Sequence, residues 1–319
     1  CDTMSEYNSL DEIPRDDRSE MLVYQDNLFF DQPFIDRFVQ RARRLNKPCR
    51  VAFNQTDRAI TAHALELQEG IHLEGEHYVG NLWYFPHGIG GTQDATAHSA
   101  TAHSARVEHV VIDTRPQEIG YYHVPTYFAS ESGDVVQYVP LRAFLSIEHW
   151  FHVYVANVTF GIFAEGARFE ARAQGLRTRL KVLLRGMWER KQVLSTSNLV
   201  VVGKNTTINP TAQIQGPAWI GDNCYIGPGV VIQNSIIGNN VNLMQGVQVM
   251  LSVISDGCFL PFRAAVMFSA LMERCIVAQN ACLQFCVLGR GTFVGAGTTF
   301  TDFNLIPKPM MVKRDDHLE

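Results

Sequence analysis

Ile220-Gly221-Asp222-Asn223-Cys224-Tyr225-Ile226-Gly227-Pro228-Gly229-Val230-Val231-Ile232-Gln233-Asn234-Ser235-Ile236-Ile237 decides how this chain folds. Isoleucine stands at 220, 226 and 232, then at 237: two steps of six residues and one of five. The rule runs upstream through Ile214, Ile208 and Val202. Downstream it takes in Leu243, Val249, Ile254, Leu260, Val266, Leu271, Val277, Leu283, Leu288, Val294 and Phe300. The short steps follow positions 232, 249, 266 and 283, which lie 17 apart. Three short strands per coil, wound about six times, satisfy that spacing. Such repetition marks a solenoid, because each unit can bury its apolar residue only by stacking on the next. The period predicts one interior column of Ile220, Ile237, Ile254, Leu271 and Leu288.

Gly and Asn recur beside the apolar position, as in Ile237-Gly238-Asn239-Asn240 and Val294-Gly295-Ala296-Gly297. They suit the tight corners of a triangular coil, since both tolerate positive φ. The stretch Gly216-Pro217-Ala218-Trp219 through Gly229, with Asn234-Ser235-Ile236-Ile237-Gly238, resembles the left-handed parallel β-helix. Hexapeptide acyltransferases share that fold with the C-terminal domains of sugar-nucleotide pyrophosphorylases. The resemblance implies self-association through the β-helix, often as trimers. It covers about a third of the chain and speaks to fold more than to chemistry, since one scaffold serves several reactions.

The remainder divides into a polar segment 1–20, an α/β domain 21–140, a helical connector 141–194, the β-helix 195–305 and a tail 306–319. With 319 residues and 46% hydrophobic content, two cores can form. The formal net charge of −5 gives no electrostatic case for nucleic-acid binding. No run of eighteen apolar residues reads as a membrane span. Five of the seven cysteines (Cys1, Cys49, Cys224, Cys258, Cys275, Cys282 and Cys286) fall in the repeat, without a Cys-x-x-Cys pair. They read as small buried hydrophobes of a reducing, cytoplasmic compartment rather than as zinc ligands. The first residue, Cys1, is expected of a processed or truncated chain, and a mature lipoprotein begins the same way.

Met21–Tyr24 reads as a strand, Pro33–Leu45 as a helix with Phe34, Ile35, Phe38 and Val39 on one face, and Arg50–Phe53 as a strand. Short β runs separated by Gly70, Gly75 and Gly80 follow, then strands at Val107–Ile112 and Tyr121–Phe128. Between the last two groups, Thr96-Ala97-His98-Ser99-Ala100 is repeated as Thr101–Ala105, which reads as a duplicated surface loop. The 172–191 segment is basic, with Arg177, Lys181 and Arg185 on one helical face. It reads either as an amphipathic helix on an anionic membrane or partner, or as a linker helix with a solvated face; the second reading is taken. Gly166, Gly175 and Gly186 argue against one rigid rod.

Leu22-Val23-Tyr24-Gln25-Asp26-Asn27-Leu28-Phe29-Phe30-Asp31, with its following helix and strand, looks like the middle of a sugar-phosphate nucleotidyltransferase domain. The resemblance implies that Asp26 binds Mg²⁺ and that Asn27 lies at the phosphate end, with a nucleotide and a sugar phosphate as ligands. Mg²⁺ bridging nucleotide phosphates offsets charge at the reacting phosphorus. The alternative is an Asp-Asn turn bonding its own backbone. That family's Gly-rich nucleotide loop has no counterpart in the 25 residues before Asp26. Its second metal-binding Asp has only Asp113 as a candidate.

All eleven histidines lie outside the repeat, at 63, 72, 77, 87, 98, 103, 109, 123, 149, 152 and 317. The His base on which resembling acyltransferases rely is therefore missing there. A base would have to come from elsewhere, with His149 and His152 the candidates. Leu260-Pro261-Phe262-Arg263-Ala264-Ala265 breaks the small-residue rhythm, and Arg263 could hold a phosphate or carboxylate, cap a coil carbonyl or pair across a trimer. The sequence thus leads to a sugar-phosphate nucleotidyltransferase-like protein, either intact or in a reduced or truncated form. A non-catalytic β-helix assembly subunit is the first alternative, and an acyltransferase with its base outside the repeat the second.

Overall fold

The computed structural model describes residues 4–8, 12–14, 19–89, 107–124, 133–173, 188, 199–300, 313–314 and 317–318. The duplicated 96–105 loop, most of the basic 172–191 segment and most of the tail lie outside them. Two compact units form: residues 1–116 with 140–152, and residues 117–139 with 153–319.

In the first unit, β1 (Met21–Tyr24), β2 (Leu28–Phe30), α1 (Gln32–Leu45), β3 (Cys49–Asn54) and α2 (Arg58–His63) follow in order. β4 (His72–Glu74), β5 (His77–Phe85) and β6 (Glu108–Val111) complete the main sheet, in the order β1-β5-β3-β6 with β4 beside β5. β5 is antiparallel to both β1 and β3, whereas β3 and β6 are parallel. β1, β3 and β6 therefore run the same way, and the expected strand–helix–strand unit is split by an inserted antiparallel strand. Asp31 caps α1 by accepting from the Phe34 N–H at 2.8 Å, Pro33 sits in the first turn, and Asn46 ends the helix at φ 50°. Phe34 and Phe38 are buried on one helix face, and Phe34 meets Phe53 and Phe144 in a ring cluster with centroids 5.0–6.0 Å apart.

Gly80 does not separate β runs as expected. It lies inside β5, where a Cβ would stand 2.6 Å from the Phe144 ring, so the strand continues because only glycine leaves room for that ring. Gly75 does turn the chain, at φ 61° between β4 and β5.

β7 (Pro116–Val124) and β8 (Gly133–Pro140) pair with each other. The segment expected to be helical from 141 begins instead with a strand, β9 (Phe144–Ser146), paired antiparallel to β2. The reason is burial: Phe144, Leu145 and Ser146 are all fully buried, which a solvated connector would not allow. The helix starts at Trp150, widens to π geometry over Val155–Phe163, and continues as α-helix to Ala173, through Gly166. Among the described residues no helix is long and apolar enough to cross a membrane.

From Val200 the chain forms a β-solenoid of six coils, with parallel sheets of six, six and five strands. The first coil takes 18 residues (Val200 pairs with Ala218) and the next takes 17 (Trp219 pairs with Ile236). Ile220, Ile237, Ile254, Leu271 and Leu288 stack in register and are at most 8% exposed, so the expected column is present. Burying such a side chain contributes roughly 1.5–3 kcal/mol.

The corners are left-handed in three columns. One holds Asn205, Asn223, Asn240, Gly257, Arg274 and Gly291; a second holds Gly229, Gly246, Arg263, Asn280 and Gly297. The third contains bulky residues, Asn234, Leu251, Phe268 and Phe285, at φ 45–52°. Leu and Phe rarely adopt this conformation. Here their rings are spoken for: Phe268 stacks on Phe285 at 4.8 Å and on Phe163 at 6.4 Å, and Tyr154 lies 6.2 Å from Phe285. Aromatic packing of the 153–163 helical turns on this corner offsets the backbone cost.

Candidate functional site

The carboxyl ends of β1, β3 and β6 share one edge of the sheet, where open sheets commonly bind ligands. Gln25, Asp26 and Asn27 follow β1 in a tight turn, closed by the Leu28 N–H donating to the Gln25 carbonyl at 3.2 Å. Asp26 is exposed in that turn. Asn27 is half-buried; its Nδ2 donates to Ser146 Oγ at 3.3 Å, while its Oδ1 is buried without a hydrogen-bond partner. Among the described residues no group of three or more His, Cys, Asp or Glu is placed to hold a metal ion. Asp26 thus offers a single carboxylate, which is what Mg²⁺ carried on substrate phosphates can accept.

Sequence reasoning missed the residues behind this turn. Ser146 Oγ donates to Glu148 Oε1 at 2.6 Å, and the Gly70 and Glu69 N–H groups donate to the same carboxylate at 2.8 Å each. Burial pulls the Glu148 carboxyl up, but these hydrogen bonds outweigh it and hold it below the usual carboxylate range. His152, fully buried, accepts the N–H groups of His149 and Glu148 on Nδ1, at 2.9 and 3.1 Å. Its Nε2 lies 2.8 Å from the Glu66 carbonyl, which makes Nε2 the protonated nitrogen. Burial lowers its pKa and keeps the ring neutral. With both nitrogens engaged, His152 fastens the 66–70 loop to the start of the helix. His149 Nδ1 accepts from the Phe151 N–H at 3.3 Å.

After β3, Asp57 caps α2 and binds the turn that follows β6. It accepts from the Thr114 N–H at 3.0 Å, Thr114 Oγ1 at 2.6 Å and the Ala59 N–H at 3.2 Å. Asp113 is exposed beside it, its Oδ1 taken by the Arg115 N–H at 2.8 Å.

Arg263 belongs to the other unit. It occupies a solenoid corner at φ 56°, exposed, with its N–H donating to the Gln245 carbonyl at 3.1 Å. Its pattern break is therefore a corner residue placed where neighbouring coils carry Gly or Asn.

The solenoid interior is sealed by ladders rather than opened for chemistry. Ser235, Ser252 and Ser269 are fully buried, and each hydroxyl accepts the N–H of the residue 17 positions on, ending at Cys286. The Cys224, Cys258 and Cys275 thiols donate to carbonyls of Gly238, Met272 and Gly289 at 3.0–3.2 Å. Burial pushes the Cys258 thiol up to about 11, so these groups stay protonated and unreactive.

The outer surface of the second sheet is different. Tyr225, Phe259, Ile276 and Phe293 stand outward in one register column, with Asn242 between Tyr225 and Phe259, and are 37%, 37%, 38% and 67% exposed. Phe262, 46% exposed, lies beside them.

The family model for bacterial transferase hexapeptide (six repeats) matches residues 199–234, about two of the six coils. A comparison with curated proteins found no match. Among solved structures, a mutant of perosamine N-acetyltransferase from Caulobacter crescentus, in complex with CoA and GDP-perosamine, is similar at 14% identity and a TM-score of 0.23. The match covers 32% of this chain and 47% of that one, about half the relative's length. A hexapeptide transferase family protein from Anaplasma phagocytophilum is similar at 18% identity and a TM-score of 0.19, over 32% of this chain and 78% of that one. Likenesses of this size do not reach to activity.

Proposed function

We propose that the β-helix is an assembly platform that joins copies of this chain, as a homotrimer or a multiple of it, in a transferase-type hexapeptide-repeat protein. The observation that carries this reading is the exposed column Tyr225, Phe259, Ile276 and Phe293, extended by Phe262. Asn242 separates Tyr225 from the other three, but Phe259, Ile276 and Phe293 are consecutive rungs, and an exposed apolar stripe of that kind costs solubility unless it is covered. Light scattering of the purified chain tests it. A stable oligomer without nucleotide is expected, and the Phe259→Glu/Ile276→Glu variant should run as a folded monomer. A monomeric wild type at micromolar concentration would end the reading. The free thiols of the six described cysteines support a reducing compartment, the cytoplasm.

A second reading concerns the first unit: a sugar-phosphate nucleotidyltransferase-like domain in nucleotide-sugar metabolism, with Asp26 and Asn27 at the metal and phosphate end. It is supported by the exposed Asp26 carboxylate at the end of β1, on the edge shared with β3 and β6. Mg²⁺ would supply charge neutralisation at the reacting phosphorus, and Asp26 would furnish one of its ligands. Mg²⁺ with a nucleoside triphosphate should then stabilise the wild type and not Asp26→Asn. At a hundredfold excess over Kd the gain is about 2.7 kcal/mol. No shift with any common nucleotide leaves assembly as the role of the chain.

Acyl transfer has less support. The repeat holds no histidine, and both ring nitrogens of His152 are engaged. No acetyl-CoA-dependent turnover is expected; turnover abolished by His149→Ala would reverse that order.

A further inference from the structure

The middle of β5 breaks step with its neighbour. Arg50 of β3 pairs with Trp83 and Ala52 with Val79, so a step of two residues on β3 answers a step of four on β5. The surplus falls in Gly80-Asn81-Leu82, a bulge on a strand with neighbours on both sides. A bulge turns polar groups out of the ladder, and buried ones must be taken up elsewhere. Arg50, only 7% exposed, does this. Its Nε donates to the Gly80 carbonyl at 2.8 Å and its Nη2 to Asn81 Oδ1 at 2.6 Å, while its guanidinium lies 5.1 Å from the centre of the Trp83 ring. Burial disfavours the Arg50 charge, and Glu74, with Oε2 3.5 Å from Nη1, opposes that.

Asn81 carries the hold onward. β1 and β5 stay in register down to Tyr24 opposite Leu82, where the ladder ends. The next residue, Gln25, opens the Asp26 turn, and its N–H reaches the Asn81 carbonyl only at 3.4 Å. The side chains make up for that long bond: Asn81 Nδ2 donates to Gln25 Oε1 at 2.7 Å. A chain of hydrogen bonds thus runs from a buried guanidinium through two side-chain amides and ends on the turn. Gln25 is exposed, so water could replace its partner at little cost to folding. A bond that adds little to stability, yet fixes the residue before Asp26, serves to orient what the turn carries.

We propose that Arg50 and Asn81 are positioning residues for the Asp26–Asn27 turn, holding it ready for a divalent cation carried on a phosphate ester. The proposal rests on the nucleotidyltransferase-like reading for its ligand, and on the bonds above for the positioning. A planar guanidinium suits this task, because one rigid fork serves the Gly80 carbonyl and Asn81 together, which a single ammonium does not. Asp26 offers one carboxylate, so a cation gains from it chiefly when that carboxylate is already in place.

Amide hydrogen exchange of the ligand-free full chain separates positioning from stability. The Leu28 N–H, bonded to the Gln25 carbonyl, reports on the turn, and the Ile112 N–H, bonded to the Ala52 carbonyl at 2.8 Å, reports on the sheet. Asn81→Ala and Gln25→Ala should each speed Leu28 exchange about tenfold, the equivalent of one hydrogen bond, and leave Ile112 unchanged. Arg50→Lys should also free the turn; should it fail to fold, the other two variants still decide. Lys47→Gln, which breaks only the surface pair with Glu108, should change neither amide. Leu28 exchange that stays as in the wild type, or that rises only in step with Ile112, overturns the positioning role. Thermal-shift titration with Mg²⁺ and ATP, CTP, GTP or UTP then tests the ligand. Binding should weaken about tenfold in Asn81→Ala, and undiminished binding by a loosened turn overturns the proposal. No shift of the wild type with any of the four overturns the nucleotidyltransferase-like reading and the ligand with it, while the exchange rates still decide whether Arg50 and Asn81 set the turn.

Discussion

The β-helix and the α/β unit bury their polar groups by opposite strategies. In the β-helix one local rule repeats: an apolar residue points inward, a corner turns left-handed, and a Ser or Cys bonds the coil 14 to 17 residues on. In the α/β unit, single carboxylates do the joining across long stretches of chain. Glu148 ties Gly70, 78 positions away, and Asp57 ties Thr114, 57 positions away. A distributed ladder should lose a little with each rung, whereas a single clasp should lose much at once.

The largest effect tests the interior rule. Ile237→Asp places a carboxylate in a dry column between Ile220 and Ile254, 2% exposed in the wild type. An unpaired buried charge costs several kcal/mol, comparable with the whole stability of a domain. Circular dichroism and hydrogen exchange should show loss of the solenoid with the α/β unit retained. Retained protection of the flanking coils would mean that the coils are less coupled than a shared column implies.

Next in size is the clasp. Asp57→Ala leaves the Thr114 N–H and hydroxyl without their acceptor and uncaps α2. Thr114 is fully buried, so a loss of about 3 kcal/mol is expected in urea denaturation. A loss below ~1 kcal/mol would show that water takes over the acceptor role, and the contrast between clasp and ladder would weaken. The same unit should also respond to pH. Burial lowers His152 below its usual value and takes His63 down to about 4. Both rings are neutral when folded, and the unfolded chain binds the protons first. Stability is therefore full above the ordinary value of 6.5 and falls as pH drops from there toward 4. His152→Asn should flatten part of that slope. Glu148, held low, adds its own loss only at more acidic pH, as the carboxyl protonates.

The two strategies also explain what could be read in advance. The repeating apolar position was visible from Ile220 to Leu288, because the rule needs no partner beyond the next coil, whereas the buried Ser235, Ser252 and Ser269 were not. The turn at Asp26 and Asn27 was visible as a turn. Its link to Ser146 was not, since 119 residues separate Asn27 from it and nothing local marks a serine as fully buried. The strand at Phe144–Ser146 was hidden for the same reason: helical composition around it outweighed a three-residue pairing with β2. Arg41 could be counted as helix surface, but its bond to the Val111 carbonyl, 70 positions away, depends on tertiary structure.

A rung of the ladder is expected to be worth less than the clasp. Ser252→Ala removes a hydroxyl that donates to the Met250 carbonyl at 2.7 Å and accepts the Ser269 N–H at 3.1 Å. The orphaned buried N–H makes the loss about 1–2 kcal/mol. Ser252→Cys should cost less, because Cys286 already fills the equivalent place at the ladder's end. Equal costs for the two variants would mean that the thiol replaces neither hydrogen bond of the hydroxyl and that packing volume adds nothing to the rung.

The smallest effect has the opposite sign. Arg263 holds φ 56° in a corner column where Gly229, Gly246 and Gly297 take 65–71°. A side chain is strained there, and its Cγ lies 3.3 Å from where a Cβ on Gly246 would sit. Arg263→Gly should therefore stabilise the solenoid by about 0.5–1 kcal/mol, since glycine accepts this φ without the Cβ cost, less its larger entropy loss on folding. The exposed guanidinium contributes little to folding to set against that gain. Chemical denaturation of the two proteins, at high and low phosphate, separates the roles of the residue. Stabilisation by Arg263→Gly at both concentrations identifies a strained corner. Stabilisation at low phosphate that vanishes at high phosphate identifies Arg263 as an anion ligand held in a strained position for that purpose.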